Sequence, residues 1–404
     1  MRFLHTADLQ LGARFSQFRE HSKKLREARV DTLRRILKLA VDENVDALII
    51  AGDIFEDNQV SEKILDDCAK IFSDHPDIPV FLLPGNHDPA DGPGSVWARA
   101  PFDQPPPNVT VLSTPTAIPL GNAVILASPL TQKLGNRDPS LLLDELAAGV
   151  HEPDSTLKIG VTHGSLQIPG KHKPDDHPIA LDAATRAGLD YLAVGHWHSW
   201  GVYDDCRLVM PGTPEPDSFD QSSPGSVALV ELSSPGVPPR IERREISTLT
   251  WHEFALDFIN HKNQREALGK TLLSFQGKET QSIIRITLSG SAPVADKLET
   301  THWLNERLKD FFISEITDRT TPSFSPAEIT DLQQNHPVLA AVISDLHAAH
   351  AIATDVRPQG GNLPLSLSDL KDITGGCPTG LEDMDDAFFQ TAQELLFHKF
   401  REAQ

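Results

Sequence analysis

The chain has three cysteines in 404 residues, Cys68, Cys206 and Cys377, far apart and without metal-type spacing. An odd, sparse count excludes a disulfide framework and points to a reducing compartment, so a cytoplasmic protein is expected. No apolar run approaches the ~20 residues that span a bilayer, so no membrane role is expected. Met1-Arg2-Phe3-Leu4-His5 reads as the start of a strand and not as a signal peptide. Positive charge is also short: 36 Lys and Arg against 57 Asp and Glu leave a formal charge of −21. That balance argues against a general nucleic-acid coat, although a local basic face remains compatible with it. No internal repeat is visible.

What is present is an ordinary apolar fraction over a length that predicts two or three domains with ample core. Strands are predicted at Arg2–Thr6, Ala47–Ala51 and Val80–Leu83. Amphipathic helices fall between them at Ser22–Glu43 and Ser61–Phe72. This β-α-β-α-β order is the signature of parallel strands with helical crossovers. Further strands are expected at Val109–Leu112, Ala123–Ala127, Lys158–Thr162, Tyr191–Val194, Arg207–Met210 and Ser226–Leu232, with a helix over Pro139–Ala148. The fold class is therefore α/β, with two stacked sheets covered by helices. Ser233 to Pro239 is the best break signal, and from about Thr248 the pattern restarts on a smaller scale. The expected domains are residues 1–247, a small α/β cap over 248–320, and a helical C-terminal region over 321–404. In that last region Met384, Phe388, Ala392, Leu396 and Phe400 form one apolar stripe. The stripe is expected either to bind a partner or to pack on the cap.

The chemistry sits where predicted strands stop. Val80-Phe81-Leu82-Leu83 ends at Pro84-Gly85 and is followed at once by Asn86-His87-Asp88. The same junction recurs at His5-Thr6-Ala7-Asp8, Ala51-Gly52-Asp53, Thr162-His163-Gly164 and Gly195-His196-Trp197-His198. In an open α/β sheet, ligands bind at the carboxyl ends of the strands. Each piece alone is ordinary: an Asp after Gly is usually a turn residue, and a lone His is usually structural. Five such junctions together read as one dinuclear metal site with Asp53 as the natural bridge. Mixed imidazole and carboxylate ligands suit manganese, iron or zinc better than magnesium or calcium.

One basic segment stands out. Between Arg14 and Lys38 there are nine Lys and Arg against Glu20, Glu27 and Asp31. Such a run is as often a solvated helix face as a binding surface. Arg26, Arg29 and Arg34 are the expected contacts if this face binds a nucleic acid.

The order Asp-x-Gln, Gly-Asp, Gly-Asn-His-Asp, His-Gly and Gly-His-x-His resembles the calcineurin-like metallophosphoesterase superfamily. Phe3-Leu4-His5-Thr6-Ala7-Asp8-Leu9-Gln10-Leu11-Gly12, Ala51-Gly52-Asp53-Ile54-Phe55 and Pro211 to Phe219 look like the nuclease subunit of the SbcCD type, which repairs DNA double-strand breaks. The resemblance covers residues 1 to about 232. It implies a four-layer α-β-β-α sandwich, two divalent metal ions of the manganese type, and hydrolysis of DNA phosphodiesters as exonuclease or endonuclease. It implies DNA and an SMC-like ATPase of the SbcC type as partners, and a homodimer is compatible with it. Asp8, Gln10, Asp53 and His198 would hold one metal, and Asp53, Asn86, His163 and His196 the other. His87 would face the scissile phosphate, with Asp88 orienting its ring. The sequence departs from the family at Gln10, where His is usual, and at Glu56, where some members carry a second His. Two rival readings use the same residues: a phosphodiesterase acting on small nucleotides or other phosphoesters, and a DNA- or partner-binding scaffold with weakened catalysis.

Overall fold

The computed structural model describes residues 1–323 apart from 93, 151–154, 171–172, 174, 222–223 and 259–260, together with 330, 334, 337 and 341. The expected C-terminal helix and its apolar stripe lie outside the described residues. The chain divides into two compact units, Met1–His252 with Gln281–Ile283, and Glu253–Thr280 with Ile284–Gln404.

The first unit begins β1 (Arg2–Thr6), α1 (Ser22–Asp42), β2 (Ala47–Ala51), α2 (Glu62–Ser73), β3 (Val80–Leu83) and β4 (Val109–Val111). It continues with β5 (Thr116–Leu120), β6 (Ala123–Ser128), α3 (Leu141–Ala148), β7 (Leu157–His163), β8 (Ser165–Leu166), β9 (Pro178–Ile179) and α4 (Ala183–Arg186). Then come β10 (Tyr191–Gly195), β11 (Gly201–Tyr203), β12 (Leu208–Met210), β13 (Ser226–Glu231) and β14 (Arg240–Glu245).

Two six-stranded sheets result, ordered β14-β13-β1-β2-β3-β4 and β11-β12-β10-β7-β6-β5. The β1-β2-β3-β4 run is parallel, as is β6-β7-β10-β12. Alternation along each strand decides the layers, because successive side chains point to opposite faces. Phe3, Ile49, Phe81 and Leu83 from one sheet meet Ile125, Ile159, Val161, Tyr191 and Ala193 from the other in a shared core. The opposite residues of the first sheet, Leu4, Leu48, Ile50 and Leu82, pack under Leu33, Ile36 and Leu37 of α1 and Leu65 and Phe72 of α2. On the second sheet Val124, Leu126, Leu192 and Val194 pack under Leu143 of α3 and Ala183 and Ala184 of α4. The expected α-β-β-α layering is what these residues build. Strands buried on both faces explain why Ala47–Ala51 reads as an unbroken apolar run and not as an alternating one.

The second unit carries most of the sheet β15 (Thr250–Asp257), β16 (Ser282–Pro293) and β17 (Ile313–Ser323) in that order, with α5 (His261–Leu273) and α6 (Val294–Leu308). Leu256, Ile284, Ile286 and Leu288 of the sheet share a core with Leu268, Leu272, Leu304 and Leu308 of the helices. No helix among the described residues is long and apolar enough to cross a membrane.

Candidate metal centre

The parallel strands of both sheets end on one side, and the five polar junctions converge there. Asp8 and Gln10 follow β1, Asp53 follows β2, Asn86 to Asp88 follow β3, His163 ends β7, and His196 and His198 follow β10. The backbone leaves ordinary extended geometry at these ends. Asp8, Gln10, Asp53 and His196 all have positive φ, at 55°, 43°, 53° and 120°. Such conformations cost of order 1–3 kcal/mol each for non-glycine residues and cluster where function needs them.

Two glycines make the convergence possible. A Cβ on Gly85 would lie 2.2 Å from Asp53 Oδ1, and one on Gly52 would lie 2.1 Å from His163 Nδ1. Gly52 also sits at φ +96°, where only glycine is unstrained.

Asn86 Oδ1 is the meeting point. It lies 2.9 Å from His163 Nε2 and 2.9 Å from His196 Nδ1. His163 Nε2 is also 3.4 Å from Asp53 Oδ2. One ligand atom each from Asp53, His163 and His196 lies within 4.8 Å of the others. Asp8 takes the backbone N–H of His196 on both carboxylate oxygens, at 3.1 and 3.0 Å. The Gln10 amide nitrogen, Nε2, lies 3.2 Å from His198 Nε2. Oxygen and imidazole nitrogen donors crowded into a buried space form a donor set that fits a divalent cation.

The electrostatics point the same way. Burial alone would raise the Asp53 carboxyl, but the neighbouring His163 and His87 hold it below the usual carboxylate range. Burial opposes charge on His163, yet Asp53 and Asp8 outweigh it and raise the imidazole to about 9. Positive charge is therefore favoured between these groups, as a proton or as a cation.

The expected orientation of His87 by Asp88 is not what forms. Asp88 is fully buried and accepts from the backbone N–H groups of Gly85 and Phe55, at 2.7 and 2.9 Å. Burial, reinforced by Asp53, raises its carboxyl well above the ordinary range. The His87 ring instead donates through Nδ1 to the carbonyl of Glu56 at 2.8 Å, while its backbone N–H donates to Asp53 Oδ1 at 2.9 Å. Asp88 thus shapes the turn that presents His87, and the Glu56 backbone holds the ring.

Arg29 also needs correction. The basic run of α1 places it among the expected DNA contacts, but it is 2% exposed. It donates to the Leu9 carbonyl at 2.7 Å and pairs with Asp217. Arg26 and Arg34 are at the surface, where Arg26 donates to the Arg14 carbonyl and Arg34 pairs with Asp31.

Two residues that the sequence did not single out touch the site. Asp176 Oδ2 lies 3.0 Å from His196 Nε2. Gln221 Nε2 lies 2.7 Å from His198 Nδ1. Both come from polar loops with no periodicity, and only their position near the histidine motifs marks them. A cavity of ≈ 400 Å³ is lined by His196, Trp197, His198, Ser199, Asp220 and Gln221.

Residues 1–200 match the model of the calcineurin-like phosphoesterase family. The chain is 23% identical over 395 residues to the uncharacterized metallophosphoesterase YhaO of Bacillus subtilis, covering 93% of this chain and 90% of that protein. It is 23% identical over 371 residues to the DNA double-strand break repair protein Mre11 of Methanosarcina acetivorans, covering 88% of this chain and 55% of that protein. It is 23% identical over 374 residues to the SbcD component of the SbcCD nuclease of Bacillus subtilis, covering 83% of this chain and 84% of that protein.

Proposed function

The chain carries a calcineurin-like phosphoesterase domain, that of a metal-dependent phosphoester hydrolase, and from this premise we propose that its substrate is the phosphodiester backbone of DNA. One observation carries the choice of substrate. The similarity to Mre11 and to SbcD runs over 371 and 374 residues, well past the 200 of the phosphoesterase domain. Hydrolysis in double-strand-break repair, beside an SMC-like ATPase in the cytoplasm, is the role this reading assigns.

The contacts among Asp53, Asn86, His163 and His196, and between Gln10 and His198, support a division of labour between two metal positions. Asp53, Asn86, His163 and His196 would hold one divalent ion, and Asp8, Gln10, Asp53 and His198 the other. Manganese suits this donor set, with iron or zinc as alternatives. Bound ions supply Lewis acidity and neutralise charge on the phosphoryl group. The His87 ring is not one of those ligands, although its backbone N–H bonds Asp53. With Nδ1 anchored on the Glu56 carbonyl, its Nε2 is the nitrogen left to face substrate. As imidazolium it protonates the leaving oxygen or steadies charge on the phosphate. No protein nucleophile is required, so the reaction needs no covalent protein intermediate.

The second reading, a phosphodiesterase for small esters, draws on a specific observation: of the three arginines expected to grip DNA, Arg29 is buried and Arg34 is paired with Asp31. Assaying the full chain with Mn on linear duplex, single-stranded DNA and bis-p-nitrophenyl phosphate separates the readings. DNA cleavage is the expected result. Turnover of the small ester alone supports the second reading. Binding of DNA with no turnover of any substrate identifies a scaffold.

A further inference from the structure

Three of the four imidazoles at the site turn their outer ring nitrogen toward an acceptor. His163 Nδ1 meets the Ala51 carbonyl at 2.8 Å, and His87 Nδ1 the Glu56 carbonyl at 2.8 Å. His196 Nε2 meets Asp176 Oδ2 at 3.0 Å. In each case the outer nitrogen donates its hydrogen to that acceptor, so the inner nitrogen is the one that can give up any proton it holds and offer a lone pair to a metal. His198 is different. Its outer nitrogen, Nδ1, faces the amide nitrogen of Gln221 at 2.7 Å.

Asp217 decides which way round that amide sits. The backbone N–H of Asp217 donates to Gln221 Oε1 at 2.9 Å, and its Oδ1 accepts from Gln221 Nε2 at 2.7 Å. Turning the amide over would set a donor against a donor and an acceptor against an acceptor. The Asp217 carboxylate is itself paired with the buried Arg29. The group presented to His198 is therefore an N–H. His198 Nδ1 must accept, and in the neutral ring the hydrogen then sits on Nε2, which faces the Gln10 amide; among the described residues no other hydrogen bond fixes that amide, so it turns its oxygen to accept from Nε2. A nitrogen bearing a hydrogen has no lone pair to give a metal.

We propose that Gln221 is a positioning residue that sets the His198 tautomer and thereby makes the Asp8–Gln10–His198 position the weaker of the two metal positions. The proposal rests on the two-metal reading above. It places the cause in a neighbour of His198 as well as in Gln10. Outer partners of metal-bound histidines typically change metal affinity by about 10–100-fold. The Gln221→Glu variant, made together with Asp217→Asn so that an amide hydrogen replaces the acceptor facing position 221, puts an acceptor where the donor to His198 stood, so the His198 hydrogen moves to Nδ1 and Nε2 is freed. The Gln221→Leu variant removes the donor without adding charge.

The test uses the full chain and Mn alone. Nitrogen-15 NMR of the histidine rings before metal addition reads the tautomer, and Mn titration by calorimetry reads both sites. In the unaltered protein His198 is expected as the Nε2–H form, with one tight and one weak Mn. In Gln221→Glu with Asp217→Asn the ring is expected as the Nδ1–H form, with the weak site tightened about 10–100-fold and the tight one unmoved. In Gln221→Leu the weak site tightens by less, which separates tautomer from added charge. An Nδ1–H ring in the unaltered protein overturns the proposal. So does an unmoved weak site in Gln221→Glu with Asp217→Asn. Failure of the Asn86–His163–His196 position to take Mn overturns the two-metal reading instead, and the ring tautomer still decides this proposal.

Discussion

The guanidinium of Arg29, on α1, is buried against the carboxylate of Asp217, 188 residues further along the chain. This pair ties the helix after β1 to the loop that carries Gln221. Removing one partner of a buried pair typically costs about 3–5 kcal/mol, because the other charge is left uncompensated. Arg29→Ala should therefore lower the melting temperature markedly, as read by calorimetry. Unchanged melting would mean the pair contributes nothing.

DNA affinity should depend on other cations. Charge reversal at the surface residues Arg26 and Arg34 should weaken binding and flatten its salt dependence, since the slope scales with phosphate contacts. The measurement is the dissociation constant for linear duplex across a salt series. A slope that does not move returns this face of α1 to ordinary solvated surface.

His87→Ala should retain Mn binding but lose about 10²–10⁴ in turnover, the usual worth of a general acid–base group. Calorimetry and single-turnover cleavage on one sample give both quantities. Near-normal cleavage would remove His87 from the mechanism.

Asp176→Ala should weaken Mn at the His196 position by about 10–100-fold, because the ring loses the carboxylate that fixes its hydrogen on Nε2. Asp176→Asn, which keeps an acceptor oxygen but no charge, should recover part of the loss. Equal affinity in all three proteins would show that His196 needs no partner.

Burial drives the His5 imidazole down to about 3, and its Nδ1 lies 2.8 Å from the Tyr191 hydroxyl. The folded protein keeps this ring neutral, while the unfolded chain takes up a proton below its ordinary value of 6.5. The unfolded state then binds more protons, so stability is present above 6.5 and falls as pH drops toward 3. Between pH 7 and about 4.5 this one group should cost about 2–3 kcal/mol. The stability advantage of the unaltered protein over His5→Asn, from denaturant curves, should shrink by that amount in acid. An advantage independent of pH would contradict the buried neutral ring.

Much of the fold was legible because periodicity reports burial. The run Ala47–Ala51 and the spacing of Leu33, Ile36 and Leu37 announced a two-sided strand and the helix above it. The strand ends were legible for the same reason, since polar groups interrupt apolar runs there. Pairings between distant segments were not. Arg29 shares the buried face of α1 with Leu25, Leu33 and Ile36, but a cation on that face finds its partner only when the loop at Asp217 folds back. His87 and Asp88 are neighbours in sequence, which suggested a pair. The turn sends them apart, one to the Glu56 carbonyl and the other to the Gly85 and Phe55 amides. Asp176 and Gln221 lie on loops whose course no local pattern encodes.

The most direct measurement is anomalous diffraction at the manganese edge from crystals of the full chain grown with Mn. A strong peak is predicted among Asp53, Asn86, His163 and His196, with a weaker one among Asp8, Gln10, Asp53 and His198 that grows with Mn concentration. Absence of a peak among these residues, with manganese bound elsewhere or nowhere, would contradict the two-metal site.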